Sequence, residues 1–384
     1  MQLRPARFEI HRSQKIAGSL LLIFLLQALW LLAHLPLSMA ETRSVLAGEA
    51  LWSSRPLLSR GSPLIPGDSI LALRCAGLLP AIASRFQSRA SVFSIYAAPN
   101  RWLVRLPFAL FGLWLGGALW WVARRLFNDT GGFVALALYC FSPPVLIASA
   151  TVNSAILAAW GLFGLIFTAI GVAHTIYAPP RKWRPRILLL GIAIGLTAAA
   201  NLSAALAGLS LSLLVMLYLT PGKRLAAVSI LGIASLLGAV VFFGCFAFNA
   251  RDLRAAAVLP GKEALQLTAG RLWSFAAAVP GAMLEIVAFI AALVVFLSWK
   301  RTRYFGNAAP LIAALILPWW PGRFSAGASP LWAVPFALVF VGGIYADLFE
   351  PAFFRGRFRK SVLITLFVLV GASALLALRL VVTA

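Results

Sequence analysis

Carboxylates are scarce in this sequence. Its 384 residues hold 10 Asp and Glu against 33 Lys and Arg, so every acid outside a basic cluster is a candidate for chemistry. Glu9, Asp129, Asp347 and Glu350 lie in or beside basic clusters and read as solvated partners of Arg and Lys. Glu41, Glu49, Asp68, Asp252, Glu263 and Glu285 remain. Glu41 falls just past the first apolar run, where a side chain can reach a lipid headgroup, and Arg43 follows it closely. A carboxylate in such a place can act as base toward an acceptor hydroxyl. Arginine can hold a phosphate by paired hydrogen bonds. The plainer reading of Glu41 with Arg43 is a surface ion pair worth about 0–1 kcal/mol. Glu285 lies near the start of the apolar run 281–299. A charge at the bilayer centre costs about 2.5–3.5 kcal/mol on insertion scales. Close to the end of a span the cost falls, and the side chain can snorkel to the interface. Glu49 and Asp68 complete the weaker candidates. The 3 histidines and the 3 cysteines (Cys75, Cys140, Cys245) are scattered, which excludes a disulfide scaffold and a zinc site of the usual spacing. There is no dinucleotide fingerprint, phosphate loop or zincin motif.

The elements that must carry these residues are apolar helices. Hydrophobic residues make up 62% of the chain and charged ones 11%, against about 45–50% and about 25% in soluble domains. Charge-poor runs at 16–38, 102–123, 131–151, 153–177, 187–201, 202–219, 225–248, 281–299, 305–320, 329–347 and 361–384 approach the ~20 residues of a spanning helix. They are continuous rather than alternating, so the expected fold is all-α, a polytopic transmembrane helix bundle of about eleven spans in a single domain over 1–384. The first run is expected to be a retained anchor, longer than a signal-peptide core. Basic clusters before the first span and at 124–125, 181–186, 223–224, 300–303 and 355–360 all fall on one side when spans are counted between them. By the positive-inside rule that side, with the N-terminus, is cytoplasmic. The loops 39–101 and 249–280 are then external, and 41–52 and 68–86 read as helices lying at the interface. The net charge of +23 would suggest nucleic acid in a soluble protein. Spread between apolar runs, it reads as topology signal and lipid-phosphate contact, with no nucleic-acid partner.

Several stretches resemble the GT-C membrane glycosyltransferases, in particular the protein O-mannosyltransferase and lipid A aminoarabinose transferase group. Ala40-Glu41-Thr42-Arg43-Ser44 resembles the acidic Asp-Glu-Thr-Arg-Tyr motif after that group's first span. The stretch from Arg101 to Gly112, with Arg105-Leu106-Pro107, resembles its Arg-Leu-Pro-Ser span opening. Arg124-Arg125-Leu126-Phe127, Leu190–Thr197 and Arg323-Phe324 with Pro330 and Pro335 resemble later segments in the same order. The departures fall on charged positions: Ala40 stands for the family's Asp, Ser44 for its Tyr, Asn153 for a later Asp, and Ala200 or Asn201 for a Lys.

The resemblance implies a GT-C fold in a bacterial-type inner membrane. It implies transfer of a sugar from a polyprenyl-phosphate donor to an acceptor on the outer face. Glu41 would be the base, or the ligand of a divalent metal, and Arg43 and Arg323 the phosphate contacts. On this reading the largest polar cavity lies over the 41–86 segment and is lined by Glu41, Arg43 and Arg323. The lost charges support a second expectation, a catalytically inactive relative acting as a scaffold, a lipid-binding protein or the partner subunit of another protein.

Overall fold

In a computed structural model, the structure describes residues 12–52, 64–65, 67–86, 101–256, 268–320, 329–350 and 357–384. Every regular element among them is helical. The order is α1 (Arg12–His34), α2 (Met39–Trp52), α3 (Ile70–Phe86), α4 (Arg101–Cys140), α5 (Pro143–Ser149), α6 (Ser154–Thr175), α7 (Pro180–Ala200) and α8 (Leu202–Leu219). It continues with α9 (Arg224–Cys245), α10 (Ala250–Ala256), α11 (Thr268–Ala278), α12 (Ala282–Ser298), α13 (Phe305–Ile316), α14 (Val334–Phe349) and α15 (Arg357–Thr383). Among the described residues, 8 helices are long and apolar enough to cross a membrane, and Ala282–Ser298 and Phe305–Trp319 are shorter apolar helices. The chain is an integral membrane protein.

The 40 residues of α4 would form a straight rod about 60 Å long, twice the hydrocarbon thickness. The chain instead breaks at Asn128, whose φ of 72° and ψ of −174° are not helical. The second half runs back along the first: Tyr139 Oη donates to the Gly112 carbonyl at 2.6 Å, and Gly132 lies against Arg124. The break therefore supplies the turn that separates the expected spans 102–123 and 131–151. Arg124 and Asp129 pair across it at 2.5 Å.

Small residues let the helices approach. Gly191 and Gly195 face Gly238 so closely that a Cβ on any of them would meet atoms of the other helix within 3.0 Å, the close packing that small residues four apart permit between membrane helices. The central helix is α14, buried over most of its surface between α4, α12 and α13. The rim helices expose Leu26, Leu236 and Phe367, as helices bounded by lipid do. Helix starts follow local chemistry, with Ser142 accepting from Val145 N–H, Asn153 from Ala155 N–H and Asn201 from Ala204 N–H.

One end of the bundle carries the candidate site. There α2 packs on α3, and both lie near the start of α4 and the α5–α6 link. The two helices meet at Gly48 and Gly77, where a Cβ on either would stand 2.1 Å from a backbone atom of the other. Only backbone against backbone fits that crossing, and it fixes how α2 presents its side chains beside α3.

Candidate functional site

Glu41 sits third from the start of α2, in the sequence Ser38-Met39-Ala40-Glu41. The Glu41 N–H donates to Ser38 Oγ at 3.2 Å, and the Ser38 N–H donates to Glu41 Oε2 at 2.9 Å. This reciprocal pair is a capping box, which satisfies amide donors that a helix start leaves open. The carboxylate does more than cap. Arg105 Nε donates to Oε1 at 2.9 Å and Arg105 Nη2 to Oε2 at 2.8 Å. The Val152 N–H donates to Oε1 at 2.9 Å. Four donors thus fill the four acceptor positions of one carboxylate.

Arg105 is equally committed. Besides Glu41, its Nη1 donates to the Leu32 carbonyl at 3.2 Å and the Leu35 carbonyl at 2.7 Å, and its Nη2 to the Pro36 carbonyl at 2.9 Å. All five N–H groups of the guanidinium are used, and its side chain is 0% exposed. Of these carbonyls, Leu32 lies in the last turn of α1 and Leu35 just past it, where a helix leaves acceptors without partners. The Glu41–Arg105 pair therefore joins α1, α2, α4 and the link into α6 at one point.

Glu41 was expected to reach a headgroup or to pair with Arg43 on the surface. It is buried, 6% exposed, and its cation is Arg105. Burial raises its pKa, but the hydrogen bonds of Arg105, Ser38 and Val152 outweigh that effect and hold it below the ordinary value of 4.5. A carboxylate so engaged accepts a proton poorly. The sequence carried two signals for this arrangement: the Ser-x-x-Glu spacing of a capping box, and an arginine a few residues inside an apolar span, which needs a partner.

Arg43 instead pairs with Asp68, Nη2 to Oδ2, at 2.6 Å. Asp68 Oδ2 also accepts the Ile65 N–H at 2.9 Å. The pair bridges α2 to the turn before α3, where Gly67 takes a φ of 86°, a conformation that favours glycine. The Arg43 side chain is 47% exposed and that of Asp68 17%. A cavity of about 60 Å³ lies beside Asp68, lined also by Gly67, Asn201 and Phe246. Against expectation, larger polar cavities lie away from the 41–86 segment, about 460 Å³ beside Arg12, Arg124 and Asp129 and about 290 Å³ beside Arg301, Tyr304 and Asp347, and neither Glu41 nor Arg43 lines any of the three. Glu49 lies on α2 beside the Gly48–Gly77 crossing, away from these pairs. Asn153 and Asn201, which stand where the resembling family carries charges, cap α6 and α8. Arg323 lies outside the described residues.

Glu285 is on α12, one turn past Gly281. Gly281 has a φ of 81° and packs directly on Pro143, which brings α12 to the start of α5. There Ser142 Oγ donates to Glu285 Oε1, so the side chain is held by a neighbouring segment and does not snorkel freely. Glu285 lines an apolar groove of about 460 Å³ between α11, α12, α13 and α14. Ser142 and Val152 flank α5, so its 7 residues, about 10 Å of helix, separate the segment holding Glu285 from the one holding Glu41.

Among the described residues no group of three or more His, Cys, Asp and Glu is placed to hold a metal ion. The oxygens of Glu41 are filled by nitrogen donors, so the residues there do not fit a divalent cation.

No family model matches the sequence, and no curated protein does. Solved structures do. The chain is similar to ArnT from Cupriavidus metallidurans in the apo state, with a TM-score of 0.61 and 14% identity over 95% of this chain and 75% of that one. It is similar to the same protein bound to undecaprenyl phosphate, with a TM-score of 0.62 and 13% identity over 96% of this chain and 75% of that one. It is also similar to the archaeal oligosaccharyltransferase AglB from Archaeoglobus fulgidus in complex with an inhibitory peptide and a dolichol-phosphate, with a TM-score of 0.53 and 14% identity over 94% of this chain and 55% of that one. Both are GT-C glycosyltransferases. At these identities the likeness establishes the fold: the chain is built as a GT-C membrane protein.

Proposed function

We propose that this protein takes a sugar from a polyprenyl-phosphate carrier at the outer face of the membrane, with Arg43 at the carrier phosphate and Asp68 as the base toward the acceptor. The single observation that carries the reading is the Arg43–Asp68 pair, the partly exposed cation and carboxylate that α2 and α3 hold side by side at one end of a GT-C bundle. Arg43 has exposed surface left for a phosphate, and among the described residues the two bonds that Asp68 receives both fall on Oδ2, which leaves Oδ1 for an acceptor proton. The solved relatives bound to undecaprenyl phosphate and to dolichol-phosphate support a carrier of that class. Glu41 is then a positioning residue: it locks α2 against α4, and so sets where Arg43 stands. The bundle on this reading has eleven crossings, counting both halves of α4, α12 and α13, in a bacterial-type inner membrane with the N-terminus cytoplasmic.

The test is transfer from a radiolabelled polyprenyl-phosphate sugar by the purified protein in nanodiscs. General bases contribute about 10²–10⁴ in rate, so Asp68→Asn lowers turnover by at least a hundredfold while the protein stays folded. A loss under tenfold removes Asp68 from the chemistry. A second reading has its own observation: Ala40 stands where the resembling family has Asp, and its neighbour Glu41 is fully engaged by Arg105. On that reading the chain is an inactive relative that serves as scaffold, lipid-binding protein or partner subunit. Silence of the wild type with every such donor, persisting in Ala40→Asp, favours it.

A further inference from the structure

The groove at Glu285 is chemically unlike the Arg43–Asp68 site. Among the described residues every one that lines it except Glu285 is apolar, Trp273, Phe289 and Trp319 among them. None of the described residues that line it is a lysine or arginine, in a chain of net charge +23. Within it, Glu285 Oε1 accepts from Ser142, while Oε2 is shielded from water and has no hydrogen-bond partner among the described residues. Buried polar atoms are almost always paired, and an exception calls for an explanation.

We infer that this groove is a binding site for a long-chain alcohol, whose apolar chain fills the groove and whose hydroxyl donates to Glu285 Oε2. Four observations select that class. The volume of about 460 Å³ is that of a ligand pocket rather than of a packing defect. The walls match a hydrocarbon chain. A phosphate head would meet Glu285 with no cation among the described lining residues to offset the repulsion. An ammonium would bring three donors to one open acceptor, whereas a hydroxyl brings one. Gly281 against Pro143 holds the carboxylate in place without any ligand, because α12 and α5 touch there directly. The assignment does not depend on sugar transfer.

The experiment uses the full chain in phosphatidylcholine nanodiscs and a C20 isoprenoid alcohol carrying a diazirine in its chain. Unlabelled competitors are the same alcohol, its methyl ether and its monophosphate. Photolabelling is expected on peptides of α12 and α14, with the alcohol competing about fivefold better than the ether, the ratio for one hydrogen bond of about 1 kcal/mol. The monophosphate is expected to compete no better than the ether. Glu285→Leu is expected to keep the labelling and lose the preference for the alcohol. Equal competition by alcohol and ether, stronger competition by the phosphate, or a preference that survives in Glu285→Leu each overturns the inference. The competitor series on the unaltered protein decides it even where the variant fails to fold.

Discussion

Replacing Arg105 by Met keeps the length of the side chain and removes five donors at once. Glu41 then keeps only the Ser38 and Val152 amides, and the carbonyls of Leu32, Leu35 and Pro36 lose the guanidinium. Removing one member of a buried ion pair costs about 3–5 kcal/mol, because the other charge stays behind uncompensated. Exposed pairs yield about 0–1 kcal/mol, so Arg43→Ala is the internal control: its partner Asp68 also has a backbone donor, and half of Arg43 already meets solvent. The measurement is reversible unfolding from mixed micelles, titrated with denaturing detergent and followed by circular dichroism. Arg105→Met is expected to lose at least about 3 kcal/mol and Arg43→Ala under about 1. The double variant Glu41→Gln with Arg105→Met removes both charges together, so it should lose less than the sum of the single losses by about 2 kcal/mol or more, within the range of coupled neighbours. If Arg105→Met costs under 1 kcal/mol, or the two substitutions add, Glu41 and Arg105 are not the joint that holds α1, α2, α4 and the link into α6 together.

Three further outcomes follow from the same geometry. The native pKa of Glu41 is lowered from 4.5, so its contribution to stability is complete above the unfolded value and is lost as pH falls through the lowered native value. The resistance of the wild type to detergent unfolding should therefore fall below pH 4.5, while Glu41→Gln, less stable at neutral pH, shows a shallower slope there; parallel slopes would remove Glu41 from the acid response. Gly77→Ala puts a Cβ 2.1 Å from the Gly48 carbonyl carbon and should separate α2 from α3, read as loss of protection of the α2 amides in hydrogen exchange. Wild-type protection in that variant would mean that the crossing is not needed. Cysteines introduced at positions 59 and 261 should react with an impermeant maleimide from the outside of intact cells, and labelling only from the cytoplasmic side would reverse the topology.

The fold was legible because lipid leaves a chain few choices. Continuous apolar runs with few internal charges must close their own backbone hydrogen bonds, and that alone yields an all-helical bundle and most of its span positions. Arg124, Arg125 and Asp129 broke the apolar pattern between 102–123 and 131–151 and so marked a hairpin there, but they did not single out Asn128 as the residue whose dihedrals make the turn. The candidate site was half legible. The sequence marked Glu41, Arg43, Asp68 and Glu285 as the acids and bases worth attention, since each is a charge that membrane surroundings must accommodate. Which charge meets which was decided by tertiary structure alone. Neighbours along the chain, Glu41 and Arg43, turn to different partners, Arg105 on α4 and Asp68 before α3. On a helix, residues two apart point to different sides, so one side chain goes into the bundle and the other to its surface. Pairing across 64 and 25 residues depends on how close the Gly48–Gly77 crossing lets two backbones come, and local sequence cannot encode that distance.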